Sequence, residues 1–292
     1  MIYCPYTDRD LKPEEANREH IIPLAVGGIN GFEIPVCRKF NSTVGSAVDG
    51  ALANDFLIMA KRDRFGIKGH SGKMPVFVVK NSSHPDTGEP LQVSLGQREG
   101  LKIWSPLERR YLKEDGPSTV PIRITLDADI ALRFVAKVAL SAGYFVYGDL
   151  FRHNVKHQEL RTIMNHRPPE IGEAIYQMEA LADDRFSTNE SEELQIFRAI
   201  CSAAGPRSLV GLVPGPGRLN VFVGILGDYV GMISVPADTA GFPNRELFHW
   251  GHVILLERGG PMRFSFMDAL EQVAGLASVL QSGRDIQPLD LL

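Results

Sequence analysis

The stretch from Asp127 to Tyr147 limits what this chain can fold into more than any other. Asp127 has the side chain of a helix N-cap. Ile130, Ala131, Phe134, Val135, Val138, Ala139 and Ala142 then recur at helical spacing. The apolar face is too broad for a surface helix, so this segment is expected to be a spine buried on more than one side.

The rest of the chain divides by pattern. Residues 1–74 read as a short, loop-rich unit with strand-like segments and one helix after Cys37. Ile21, Ile22, Leu24, Val26, Ile34 and Val36 are its sparse apolar positions, followed by Val44, Val48, Leu52 and Phe56 at helical spacing. So small a core calls for a metal ion or for packing against the remaining chain. From Pro75 the pattern turns to strands, expected at 75–80, 91–95, 101–104 and 119–126, with a turn-rich loop at 81–90. Beyond the spine we expect a helix over 171–181, strands at 219–226, 229–235 and 251–257, and a final helix over 267–280. A chain of 292 residues has room for two domains, 1–74 and 75–292, and its 44% hydrophobic content suits packed cores rather than disorder. The expected class is α+β.

A net charge of -4 argues against a non-specific nucleic-acid coat, while leaving room for a confined basic surface. Three cysteines (Cys4, Cys37 and Cys201) cannot all pair, which fits a reducing cytoplasm better than a disulfide scaffold; the N-terminal residues lack a basic and then apolar leader pattern, so no signal peptide is expected. No apolar run is expected to reach the roughly 20 residues that a membrane span needs.

The chemically informative stretch is Arg18-Glu19-His20-Ile21-Ile22-Pro23-Leu24-Ala25-Val26-Gly27-Gly28, continued by Cys37-Arg38-Lys39-Phe40-Asn41. An acidic residue beside a histidine, an Ile-Ile-Pro tail, a Gly-Gly turn, a short strand ending in Cys and an Asn entering a helix together resemble the HNH endonucleases, in the variant whose third motif residue is Asn. The likeness spans residues 4–73. It implies a small ββα-metal module ahead of a larger mixed α/β-rich C-terminal domain. The residue pattern agrees: a strand through Glu19-His20, turn chemistry at Gly27-Gly28 and Asn30-Gly31, and a return strand from Phe32 to Cys37.

By that resemblance His20 is the general base for hydrolysis of a DNA phosphodiester, a task suited to imidazole at cellular pH. Glu19 and Asn41 would be hard oxygen ligands for Mg²⁺ or Mn²⁺. Asn30 is the candidate for the middle asparagine that braces the histidine, although it sits earlier than usual. Because strand neighbours face opposite ways, Glu19 and His20 can share one site only if the strand bends or bulges. Relatives often bind a structural zinc with two Cys-x-x-Cys pairs. Here Thr7 and Phe40 stand where the partners of Cys4 and Cys37 would be, so no structural zinc is expected.

For the phosphate backbone, the candidate contacts are Arg38 and Lys39 with Lys61, Arg62, Arg64, Lys68 and Lys73, the last five lying with His70 in a basic, glycine-containing segment. Three alternatives remain open: an RNA substrate, a catalytically decayed scaffold that binds nucleic acid or regulates, and a homodimer built by the C-terminal domain. Other features read as structural. His153 and His157 are expected on the surface, Cys201 in a buried helix, and His249-Trp250-Gly251-His252 in a turn. The glycines at 211, 215 and 217 lack the Gly-Lys-Ser/Thr of a phosphate loop.

Overall fold

The computed structural model describes residues 1–69, 72–96, 100–112, 117–124, 126–166, 178–243 and 250–281, with backbone alone over 276–281. The protein is α+β, and its sheets are antiparallel.

The first strands form two small hairpins, β1 (Ile2–Cys4) with β2 (Arg9–Leu11) and β3 (Ala16–His20) with β4 (Glu33–Cys37). Helix α1 (Arg38–Phe40) leads directly into a π-helical turn at Asn41–Gly45 and then α2 (Ser46–Ala53). Such π turns lodge an extra residue in a helix and are common at functional sites. Asp55 caps α3 (Phe56–Arg64) by accepting from the amides of Leu57 and Ile58. A four-stranded meander follows: β5 (Phe77–Ser83), β6 (Pro90–Gly96), β7 (Gly100–Ser105) and β8 (Arg110–Leu112).

The expected spine is helix α4 (Ala128–Tyr147), capped by the Asp127 carboxylate accepting from the Asp129 amide. Its length and composition would suit a membrane span, contrary to expectation, but most of it is buried inside the molecule. Short helices α5 (Asp149–Asn154) and α6 (Gln158–Asn165) and strand β9 (Leu181–Asp184) come next. They are followed by α7 (Glu192–Ala203), β10 (Leu209–Gly215), β11 (Arg218–Ile225), β12 (Asp228–Pro236), β13 (His252–Glu257), β14 (Gly260–Ser265) and α8 (Phe266–Gln281).

Strands β9 to β14 form one six-stranded sheet in the order β14-β13-β10-β11-β12-β9. On one face it packs against α4, with Val221, Val223, Val230 and Ile233 meeting Phe134, Val135 and Val138 in a common cluster. On the other face Phe222, Tyr229 and Met232 pack with Phe197 of α7 and Phe266 of α8. An antiparallel sheet covered on both faces has little use for polar alternation, so β11 and β12 read as nearly continuous apolar runs.

The same α4 cluster includes Ile21, Ile22, Phe32, Ile34, Val48 and Leu52. The core is therefore continuous across residue 74. The hairpin and its helix lean on the spine instead of standing as a separate small core. The loop after β3 explains the Ile-Ile-Pro and Gly-Gly motif in the same terms. Ile21 and Ile22 are fully buried anchors. Gly27 takes φ +85 to close a short 3-10 turn, and a Cβ on Gly28 would collide with the Ile22 carbonyl oxygen. Ser208 Oγ donates to Val26 O at 2.8 Å and accepts from Leu226 N at 3.1 Å, joining this loop to the sheet.

Some expectations are corrected. Residues 119–124 form no strand: Pro121 removes a donor, and Ile122 and Ile124 remain exposed. The loop expected at 81–90 begins later, because β5 runs on to Ser83. Leu181 opens a strand, and most of the helix expected over 171–181 lies outside the described residues. His157 is buried: Nε2 donates to Arg152 O at 2.9 Å, while Nδ1 accepts from Arg161 at 2.7 Å. Cys201 is buried in α7 as expected.

His252 gives a pH test of the core. It is buried on β13 beside the Tyr147 ring, and burial, with Arg263 adding repulsion, lowers its pKa from 6.5 to about 4. The unfolded chain therefore takes up this proton first. Stability from this group should be complete above pH 6.5 and drain away between 6.5 and 4, by up to about 3 kcal/mol. Urea melts across that range should show a flatter acid limb for His252→Gln; an unchanged limb would assign the acid loss elsewhere.

Candidate active site

The β3–β4 hairpin runs in unbroken register, with Glu19 opposite Ile34 and His20 opposite Glu33. Without a bulge, the alternation of the strand holds: Glu19 turns inward and His20 turns outward. The arrangement in which His20, Glu19 and Asn41 surround one pocket is thus corrected, since these side chains form two pairs on opposite faces.

On the outer face, His20 Nε2 lies 2.9 Å from Glu33 Oε1 and 3.0 Å from Asn30 Oδ1. A carboxylate only accepts, so Nε2 carries the hydrogen and a neutral ring leaves Nδ1 as its free acceptor. Asn30 does lie against the histidine despite its early position in sequence. Glu33 was missed in the sequence because its role depends on the strand register that sets it across from His20. Arg18 Nη1, 3.4 Å from Glu33, adds a positive charge at this rim.

On the inner face, Asn41 Nδ2 donates to Glu19 Oε2 at 2.7 Å. Asn41 sits in the π turn, and its oxygen is directed at Gly45, where any Cβ would collide with it. A third group completes the cluster: Lys137, fully buried in the middle of α4. Its Nζ donates to both oxygens of Asp49 at 2.8 Å and lies 2.6 Å from Glu19 Oε1. Burial alone would discharge this amine, but Asp49 first, and Tyr6 and Glu19 after it, hold it protonated. Burial also pushes the Asp49 carboxyl up to about 6, against the pull of the ammonium. Neither Lys137 nor Asp49 stood out in the sequence: one reads as a lone charge in an apolar helix, the other as an exposed position of α2.

Glu19 and Asn41 are hard oxygen-bearing groups already in contact, which fits a divalent cation by donor type. Glu19 Oε1 is buried and lies 2.6 Å from the Lys137 ammonium. A cation there would have to compete with the Lys137 ammonium for that oxygen. Asn41 would have to turn its amide over to offer its own oxygen.

Of the basic candidates, Arg38, Lys39, Arg64, Lys68 and Lys73 are exposed. Arg38 also donates to Ala16 O at 3.3 Å, and Arg64 stacks on Phe65. Arg62 is withdrawn as a phosphate contact, because it is buried and donates to Ala53 O at 2.7 Å. Lys61 is paired with Asp228 at 2.8 Å. The segment begins as helix, since Lys61, Arg62 and Arg64 belong to α3; His70 lies outside the described residues. The Cys37 amide donates to Cys4 Sγ at 3.2 Å, an inter-strand contact between buried thiols.

Comparison of the chain with family models, curated proteins and solved structures gave no match.

Removing the buried ammonium strands two carboxylates. Lys137→Ala should cost about 3–5 kcal/mol, and Lys137→Met with Asp49→Leu should recover much of that loss. Chemical denaturation of the three proteins measures this, and a single-variant loss under 1 kcal/mol would contradict the described pairing.

Proposed function

We propose that the chain is a metal-dependent endonuclease of the HNH type that hydrolyses DNA phosphodiester bonds in the cytoplasm. The observation that carries this reading is the pairing of the motif side chains on a hairpin and the following helix: His20 with Asn30, and Glu19 with Asn41. Apolar packing alone does not require either pair.

In this reading His20 Nδ1 takes the proton of the attacking water. Glu33 and Asn30 fix the ring through Nε2, and Glu33 stabilises the imidazolium that results. Glu19 and Asn41 would hold a Mg²⁺ or Mn²⁺ ion, which when bound supplies positive charge against the scissile phosphate and the leaving oxygen. Arg18, Arg38 and Lys39 are exposed near the hairpin and suit contacts to the DNA backbone. Turnover also demands a bend at the Glu19–His20 peptide, so that the outward imidazole and the inward carboxylate reach one phosphate.

A second reading, a catalytically inactive HNH scaffold that binds nucleic acid or regulates, is favoured by Lys137, whose ammonium already holds Glu19. The two readings separate in one assay. Supercoiled plasmid and matched RNA are incubated with the full chain in Mg²⁺, Mn²⁺ or EDTA. The endonuclease reading expects DNA strand breaks with metal and none with EDTA. His20→Ala should abolish cleavage while DNA binding persists, and Glu33→Gln should slow it by ~10–100-fold. No breaks in any metal, with binding retained in EDTA, would replace the endonuclease with the inactive scaffold.

A further inference from the structure

We propose that the Lys137 ammonium is the resident cation of the Glu19–Asn41 centre and sets how tightly a divalent ion can bind there. The inference rests on the reading of Glu19 and Asn41 as a cation pocket, and it stands whether or not cleavage follows.

Three observations carry it. First, the ammonium is inaccessible to solvent and comes from α4, far along the sequence from both motif residues, so it belongs to the architecture and not to a mobile surface chain. Second, the ammonium meets both oxygens of Asp49 at 2.8 Å and one oxygen of Glu19 at 2.6 Å, so Asp49 alone still offers it two acceptors when Glu19 turns away. Asp49 is the anchor and Glu19 the shared neighbour, so Glu19 can be released without removing the lysine from its seat. Third, a divalent ion bound to Glu19 Oε1 would sit within a few ångströms of a fixed positive charge in a poorly hydrated interior, where like charges repel strongly. The ion must therefore win Glu19 from the lysine and then tolerate its proximity. The result is a centre with deliberately weakened affinity, filled only when another negative group enters with the ion. A phosphodiester would supply that group, so metal and nucleic acid should load together.

The test measures metal binding rather than cleavage. Mn²⁺ affinity is determined by electron paramagnetic resonance on the full chain for the wild type, Lys137→Met, and Lys137→Met with Asp49→Asn. The last variant leaves no unpaired buried carboxylate at position 49 and serves if the single variant fails to fold by circular dichroism. Removing the ammonium should tighten Mn²⁺ binding at least tenfold, and adding Glu19→Gln should cancel the gain. In parallel, a short DNA duplex should raise the Mn²⁺ affinity of the wild type more than that of the Lys137 variants. Unchanged or weaker binding in the folded variants, or a gain that survives Glu19→Gln, would overturn the proposal. Plasmid cleavage bears only on the endonuclease reading, so the two can fail separately.

Discussion

A single buried ammonium ties the molecule together. Lys137 projects from the central helix α4 to Asp49 on α2 and Glu19 on β3, so one charge secures the three elements that form the motif region. A charge in a hydrocarbon core is tolerable only if its partners are fixed, and these partners fix one another's elements in return. The apolar surroundings supply most of the cohesion, and the ion cluster decides which way the hairpin sits on the helix.

The six-stranded sheet does its part by being covered twice. With α4 on one face and α7 and α8 on the other, it gives the spine a rigid backing. Ser208 carries that rigidity to the motif loop, since its hydroxyl bridges Val26 in the loop and Leu226 in the turn between β11 and β12. The tight approach of Gly28 to the Ile22 carbonyl then sets where Asn30 can stand beside His20. The conspicuous motif residues are largely the residues of a turn that places one polar side chain.

Local signals made much of this legible. The cap at Asp127 and the spacing through Ala142 located α4, and the Gly-Gly and Asn-Gly turns located the hairpin, because each rests on chemistry within a few residues. Edge strands such as β9 and β14 gave weaker patterns, and residues 119–124 gave a misleading one, since β-branched residues favour extension without guaranteeing a partner strand. At the candidate site, the pairs His20–Asn30 and Glu19–Asn41 join residues already conspicuous in sequence. Glu33 needed the strand register, and Lys137 needed a contact spanning 88 positions to Asp49. Arg62 misled because a basic residue on a short helix reads as exposed unless its facing surface is known.

The shared core also bears on inheritance. Many small functional folds travel between proteins as detachable cassettes, surviving wherever a linker lets them. Here a transplant of the first 74 residues would leave Lys137 behind. Asp49 and Glu19 would then lie without their counter-charge, and Ile21, Ile22 and Phe32 would have lost their seat against α4. Recombination that preserves the site must move the spine along with the hairpin, so the segment that carries the motif is much shorter than the segment that must be inherited whole.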